Sequence, residues 1–262
     1  MRIAFVGAGR LATHLAQALA AQGHDIVEVY SRTMDSASSL ASKLNAKAVN
    51  SLSDLTTDAE VYIVAVKDAA LKDLIPAFCK GREEAVFLHT AGSMPMTVFQ
   101  GHAHHYGVLY PMQTFSKERP VDFACIPVFI EGSDERAQEV AGELARSVSR
   151  QVTVLSSEDR RHLHLAAVFA CNFANHCYQL AAQVLERHGL PFSVMQPLID
   201  ETAAKVHEIP PYEAQTGPAV RYDENVINAQ LQLLADQPEA QRVYEIMSQS
   251  IHYTYTHPKE QQ

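Results

Sequence analysis

The residues with the clearest chemical meaning come first in the chain. Gly7-Ala8-Gly9-Arg10-Leu11-Ala12 follows a short apolar run and opens a helical pattern. Each small residue has a purpose there. Gly7 permits a tight turn, Gly9 lets the backbone approach a pyrophosphate, and Ala12 allows close packing of helix on strand. The helix N-terminus formed by Arg10 and Leu11 offers unpaired N–H groups to the anion. At the end of the second apolar run stands Tyr30-Ser31-Arg32-Thr33. No acid occupies the strand tip, where a ribose-binding carboxylate would sit. Ser31 and Thr33 offer hydroxyls and Arg32 a charged fork, a set suited to a 2′-phosphate. A purely structural turn and a solvated Arg32 are the bland alternatives.

Two later loops and one helix carry further polar groups. Val66-Lys67-Asp68 follows the fourth apolar run, then His89, Thr90, Gly92 and Ser93 in LHTAGSMPM, then Tyr110, Gln113, Thr114 and Ser116 in YPMQTFS. Val66, Lys67 and Thr90 are expected beside a dinucleotide, and Gln113 beside a substrate. His89 and Ser93 can donate to a developing alkoxide, and His89 can carry a proton. The uncharged run from His162 to Leu185 places His164, Asn172, Asn175 and Gln179 eight, three and four residues apart. On a straight α-helix these share one stripe. A buried helix with that stripe facing cofactor and substrate is expected, with a structural network of satisfied amides as the alternative. Arg221, after Gly217-Pro218, is a candidate for a substrate carboxylate. The GHAHHY segment (His102, His104, His105) is not expected to bind metal, since adjacent histidines on a loop cannot all face one ion and no acid or thiol completes the set.

Eight strands must position these groups: Ile3–Val6, Ile26–Tyr30, Lys47–Val49, Val61–Val66, Ala85–Leu88, Val108–Tyr110, Val128–Ile130 and Val152–Leu155. Helical patterns over Leu11–Gln22 and Met34–Leu44 separate the early ones. This alternation predicts an α/β fold with a mostly parallel, doubly wound sheet over residues 1–155. Ser156-Ser157-Glu158-Asp159 resembles a capping box opening a helix of about thirty residues that ends at Gly189. Residues 156–262 read as all-α, with helices over Phe192–His207, Glu224–Ala235 and Glu239–Thr256 and a frayed end at HPKEQQ.

Composition limits the partners. The formal charge of −9 over 262 residues argues against a nucleic-acid binder, which needs a basic face. The His, Asn and Gln content of the 162–185 run argues against a membrane span. Four cysteines without close pairing read as free thiols of a cytoplasmic protein.

Taken together, GAGRLA, VKDAAL, HTAGS, YPMQTFS, HLAAVFACNF and TGPAVRYD resemble the Rossmann-like NADP oxidoreductases with a C-terminal helical domain of unassigned function. That group is similar to the pyrroline-5-carboxylate reductases, the deazaflavin-dependent NADP oxidoreductases, and the 6-phosphogluconate and β-hydroxyacid dehydrogenases. The resemblance implies a Rossmann domain, a 6-phosphogluconate-dehydrogenase-like helical domain that forms a homodimer, and NADP as cofactor. One departure matters: aligning Asn172 with the helix Asn of the β-hydroxyacid dehydrogenases puts Val168 where their catalytic lysine stands. The proton would then come from His164 or His89, or the reaction would need no strong acid. The resulting expectation is NADPH-dependent reduction of a small carbonyl or imine, with a 2-keto acid such as ketopantoate as one specific case. Asn172 and Ser93 would orient the acceptor. A non-catalytic NADP(H)-binding sensor and a deazaflavin-coupled enzyme are the competing readings.

Overall fold

The computed structural model describes residues 1–257; Pro258–Gln262, which include most of the HPKEQQ tail expected to fray, lie outside the described residues. Eight strands form one sheet: β1 (Arg2–Val6), β2 (Asp25–Tyr30), β3 (Lys47–Val49), β4 (Val61–Val64), β5 (Val86–His89), β6 (His105–Pro111), β7 (Val128–Gly132) and β8 (Val152–Val154). Their order is β3-β2-β1-β4-β5-β6-β7-β8, parallel except where β6 meets β7. The first six strands therefore follow the doubly wound order, whose reversal lies between β1 and β4.

The central strands β1, β4 and β5 are buried on both faces, which is why they read as unbroken apolar runs. Alternate side chains enter different cores. Ile3, Phe5, Val61, Ile63, Val86 and Leu88 pack with α1 (Arg10–Ala21) and with Ala137, Ala141, Leu144 and Ala145 of a later helix. Ala4, Val6, Tyr62, Val64 and Phe87 pack on the other face with Leu71, Ile75 and Phe78. The remaining helices of this layer are α2 (Met34–Ala41), α3 (Asp68–Cys79) and α4 (Glu135–Val148).

Two compact units divide at Asn172/Phe173. The first includes α5 (Ser157–Ala167), whose N-cap Ser156 accepts from the Asp159 N–H at 3.1 Å. Arg160 of α5 is fully buried. It donates at 2.6 Å to Glu131 of β7 and at 2.6 Å to the Met94 carbonyl, while Glu131 also accepts from the Ser157 N–H at 2.8 Å. This network pins the start of α5 to the sheet and to the loop after β5.

The single long helix expected from Ser157 to Gly189 is interrupted. Val168–Phe173 form a π-helical turn, after which α6 (Ala174–Glu186) continues. A π turn widens the spacing to i→i+5, so residues beyond it rotate away from the stripe that a straight α-helix would keep. The turn falls between His164 and Asn175 of the expected stripe, with Asn172 inside it. The helix is also not buried within the chain: α6 contains no buried residue.

The second unit contains α6, then α7 (Gln196–Glu208), α8 (Pro211–Ala214), α9 (Pro218–Arg221), α10 (Glu224–Leu233) and α11 (Pro238–Thr256). Its only buried apolar side chains among the described residues are Ala219, Ile227 and Ala240. No helix among the described residues is long and apolar enough to cross a membrane.

Candidate functional site

At the reversal between β1 and β4, Gly7, Gly9, Ser31, Arg32, Val66 and Lys67 line one cavity of about 460 Å³. Gly7 has φ +119°, and a Cβ there would collide with the Ala65 carbonyl, so only glycine lets β1 turn this close to β4. Nothing lies within 4 Å of where a Gly9 Cβ would be, which leaves open space in front of the α1 N-terminus. These features fit a pyrophosphate. The lining carries two cations, Arg32 and Lys67, and one acid, Asp73. The sequence did not single out Asp73 or Tyr30, which also line this cavity.

The other expected cofactor residues stand apart from that lining. Ala12 is fully buried under α1. Thr33 Oγ1 donates to Ser36 Oγ at 2.9 Å, and Arg10 is exposed. Leu11 is half-buried against the apolar core. Thr90 is buried with its N–H donated to the Val64 carbonyl at 3.1 Å.

A second cavity, of about 340 Å³, opens at the carboxyl end of β6. Tyr110, Met112, Gln113 and Thr114 line one side, and Leu163, His164, Ala166, Ala167, Cys171 and Asn172 the other. The structure thus brings three expected residues, Gln113, His164 and Asn172, into one lining. The π turn carries Cys171 and Asn172 into it; such turns recur at functional sites. Tyr110 Oη and His164 Nδ1 are hydrogen-bonded at 3.0 Å. Burial pushes the phenol's pKa up, the Arg160 charge pulls it down, and Asp68 and Cys171 push it up again.

His89 does not fit the proton-carrying part. It is fully buried and stacked on Phe99, with Nδ1 accepting the Ala91 N–H at 3.1 Å and Nε2 unpartnered. Desolvation first, and the Arg160 charge second, hold its pKa down to about 3. A neutral imidazole sealed in a core does not supply protons at neutral pH. Ser93 donates its hydroxyl to the Asp68 carboxylate rather than standing free. Asn175 and Arg221 belong to the second unit, where both are exposed. In the GHAHHY segment, His105 Nδ1 pairs with Asp134 at 3.0 Å, and no cluster of three or more metal-type ligands occurs among the described residues.

Comparison with known proteins identifies the family. Residues 2–88 match the family model "NADP oxidoreductase coenzyme F420-dependent", and residues 126–251 match a domain of unknown function, DUF2520. A solved structure from Bacteroides fragilis, BF3122, assigned to the NADP oxidoreductases, is 54% identical over 96% of this chain and 98% of its own, with a TM-score of 0.93. The chain belongs to the NADP oxidoreductases. The cofactor of this oxidoreductase is NADP.

More distant structures share the fold. An imine reductase from Myxococcus stipitatus in complex with NADP+ is 14% identical, covering 98% of this chain and 94% of its own, with a TM-score of 0.70. A 1-pyrroline-5-carboxylate reductase from Streptococcus pyogenes is 11% identical, covering 97% and 98%, at 0.63. No protein of curated function matches the sequence.

Proposed function

We propose that this oxidoreductase uses NADPH to reduce a small cyclic imine or ketone held in the cavity at the end of β6. The character of that cavity carries the reading. Its lining is mostly apolar, from Met112, Leu163, Ala166 and Ala167, with a few polar groups in Tyr110, Gln113, His164 and Asn172. Such a mixture suits a small organic ligand held by a few oriented hydrogen bonds. No Lys or Arg among the described residues lines it. A carboxylate placed there would lose its hydration without gaining a cation. That argues against a 2-keto acid such as ketopantoate and for a ring carrying only the reducible C=N or C=O bond. The structural likeness to imine reductases agrees with this choice but shows the fold alone.

Ser31, Arg32 and Lys67 would hold the 2′-phosphate, and the Gly7–Gly9 turn the pyrophosphate. Gln113 and Asn172 would orient the acceptor.

The same reading makes the protein a cytoplasmic homodimer. In the second unit, Leu198 and Leu233 are 61% and 78% exposed, with Leu190, Val194, Val206 and Ile246 also exposed. A helical unit with so few buried side chains lacks a core of its own, and a second copy of the chain is the cover its helices call for.

The test is to titrate purified protein with NADPH and NADH by fluorescence and then assay NADPH oxidation with 1-pyrroline, cyclopentanone and ketopantoate. Tight NADPH binding with turnover of the uncharged rings supports the reading. Turnover of ketopantoate alone, or tight binding with no turnover of any, replaces it with the keto-acid or the sensor reading respectively.

A further inference from the structure

We infer that Tyr110 is the proton donor of this reduction and that His164 is its positioning partner. The inference rests on the reductase reading above and adds the residue that completes it. Tyr110 stands on β6 with its ring beside Phe129, the residue opposite on β7, at 6.4 Å between centroids. Only 7% of the residue is exposed, yet it lines the cavity, so the surface it keeps open faces the space a substrate would fill. The hydrogen bond of Oη to His164 Nδ1 then holds the phenol in one orientation.

The backbone makes room for this pair. A Cβ on Gly92 would lie 2.5 Å from His164 Nδ1 and 2.9 Å from Tyr110 Cζ. Any side chain at that position would force phenol and imidazole apart. The glycine between His89 and Ser93 thus serves the contact between β6 and α5.

The alternatives in and around the cavity are weaker. His89 is sealed off, Ser93 is committed to Asp68, and an amide such as Asn172 cannot release a proton. The thiol of Cys171 is the remaining rival. A phenol is protonated at neutral pH, as a donor must be, and burial raises its pKa further, while the nearby Arg160 charge favours the anion it leaves. In the step itself the Tyr110 O–H bond breaks and an N–H or O–H bond forms on the acceptor, as hydride reaches the adjacent carbon. The phenolate recovers its proton from His164 Nδ1–H, and the half-exposed imidazole takes one from water at Nε2.

The experiment compares Tyr110→Phe, His164→Ala, His164→Asn and Cys171→Ser with wild type, using 1-pyrroline for turnover and NADPH fluorescence for binding. Tyr110→Phe should lose kcat by about 10²-fold or more with NADPH affinity unchanged. His164→Ala should lose kcat with KM nearly constant, and His164→Asn, whose amide can still reach Oη, should recover part of it. Cys171→Ser should lose far less kcat than Tyr110→Phe, and a larger loss in Cys171→Ser would give the donor's part to the thiol. If Tyr110→Phe keeps kcat within about threefold of an active wild type, the donor assignment is overturned and the reductase reading stands. If wild type reduces neither 1-pyrroline nor cyclopentanone, the reductase reading fails, and cyclopentanone binding to the NADP+-loaded protein decides the phenol's part. A roughly tenfold weaker affinity in Tyr110→Phe keeps Tyr110 as the cavity's hydrogen-bond donor. Equal affinity in both proteins, or no binding to wild type, overturns it.

Discussion

Arg32 illustrates how much one side chain can decide. It shares a cavity with Lys67 and Ser31 at the end of β2, whose tip carries no carboxylate; the one acid of the lining, Asp73, stands on α3. Charge-assisted hydrogen bonds are worth about 1.5–3 kcal/mol. Arg32→Ala should therefore weaken NADPH by roughly 10- to 100-fold and leave NADH almost unchanged; equal losses in the two titrations would refute a 2′-phosphate contact. His89 makes a different prediction, because its folded pKa of about 3 lies below the ordinary 6.5. Between those values the unfolded chain binds a proton that the folded chain refuses. Stability should then fall as pH drops from 6.5 toward 3, by up to about 1.4 kcal/mol per pH unit from this residue. Urea unfolding at pH 7 and pH 5 should show a flatter dependence in His89→Asn; an unchanged slope would mean that His89 is not the group responsible.

At the level of elements, α5 ties the site together. Its first turn is anchored by Arg160, buried between Glu131 of β7 and the Met94 carbonyl, and one turn later it presents His164 to Tyr110. Losing one partner of a buried ion pair leaves the other charge without compensation, at a cost of about 3–5 kcal/mol. Arg160→Met should lower stability by that order in urea unfolding, and Arg160→Met with Glu131→Met should regain much of it. If the single variant loses less than about 1 kcal/mol, the pair is not what holds α5 on the sheet. The π turn at Val168–Phe173 then sets which side chains follow, bringing Cys171 and Asn172 into the lining that includes His164. Val168 does not line this cavity. The proton donor proposed above stands on β6 instead.

For the molecule as a whole, the two units differ in how well one chain can finish them. The first has a sheet covered on both faces, with cores on either side. In the second, α6 and α7 contain no buried residue at all. Light scattering after size exclusion should give twice the chain mass. Leu198→Glu, at a position 61% exposed in the single chain, should shift the protein toward monomer and lower its melting temperature. A monomeric wild type with cooperative unfolding would end the dimer reading.

The sequence by itself determined the sheet and the glycine turn at its reversal. Buried strands read as apolar runs, and Gly7-Ala8-Gly9 follows one such run and opens a helix, so the strands and this turn were legible as local patterns. Element ends moved by a few residues, as with β4, which stops at Val64 rather than Val66. The substrate end was not legible in the same way. Whether His89 is a proton carrier or a core residue depends on Phe99 and Arg160, neither of which is its neighbour in sequence. The pairing of Tyr110 with His164 spans 54 residues and depends on the missing Cβ of Gly92. The π turn breaks a periodicity that the sequence displays without interruption, because helix type is set by packing as well as by composition. Local patterns encode what one segment does alone; which polar groups meet in a cavity is decided only when distant segments are packed together.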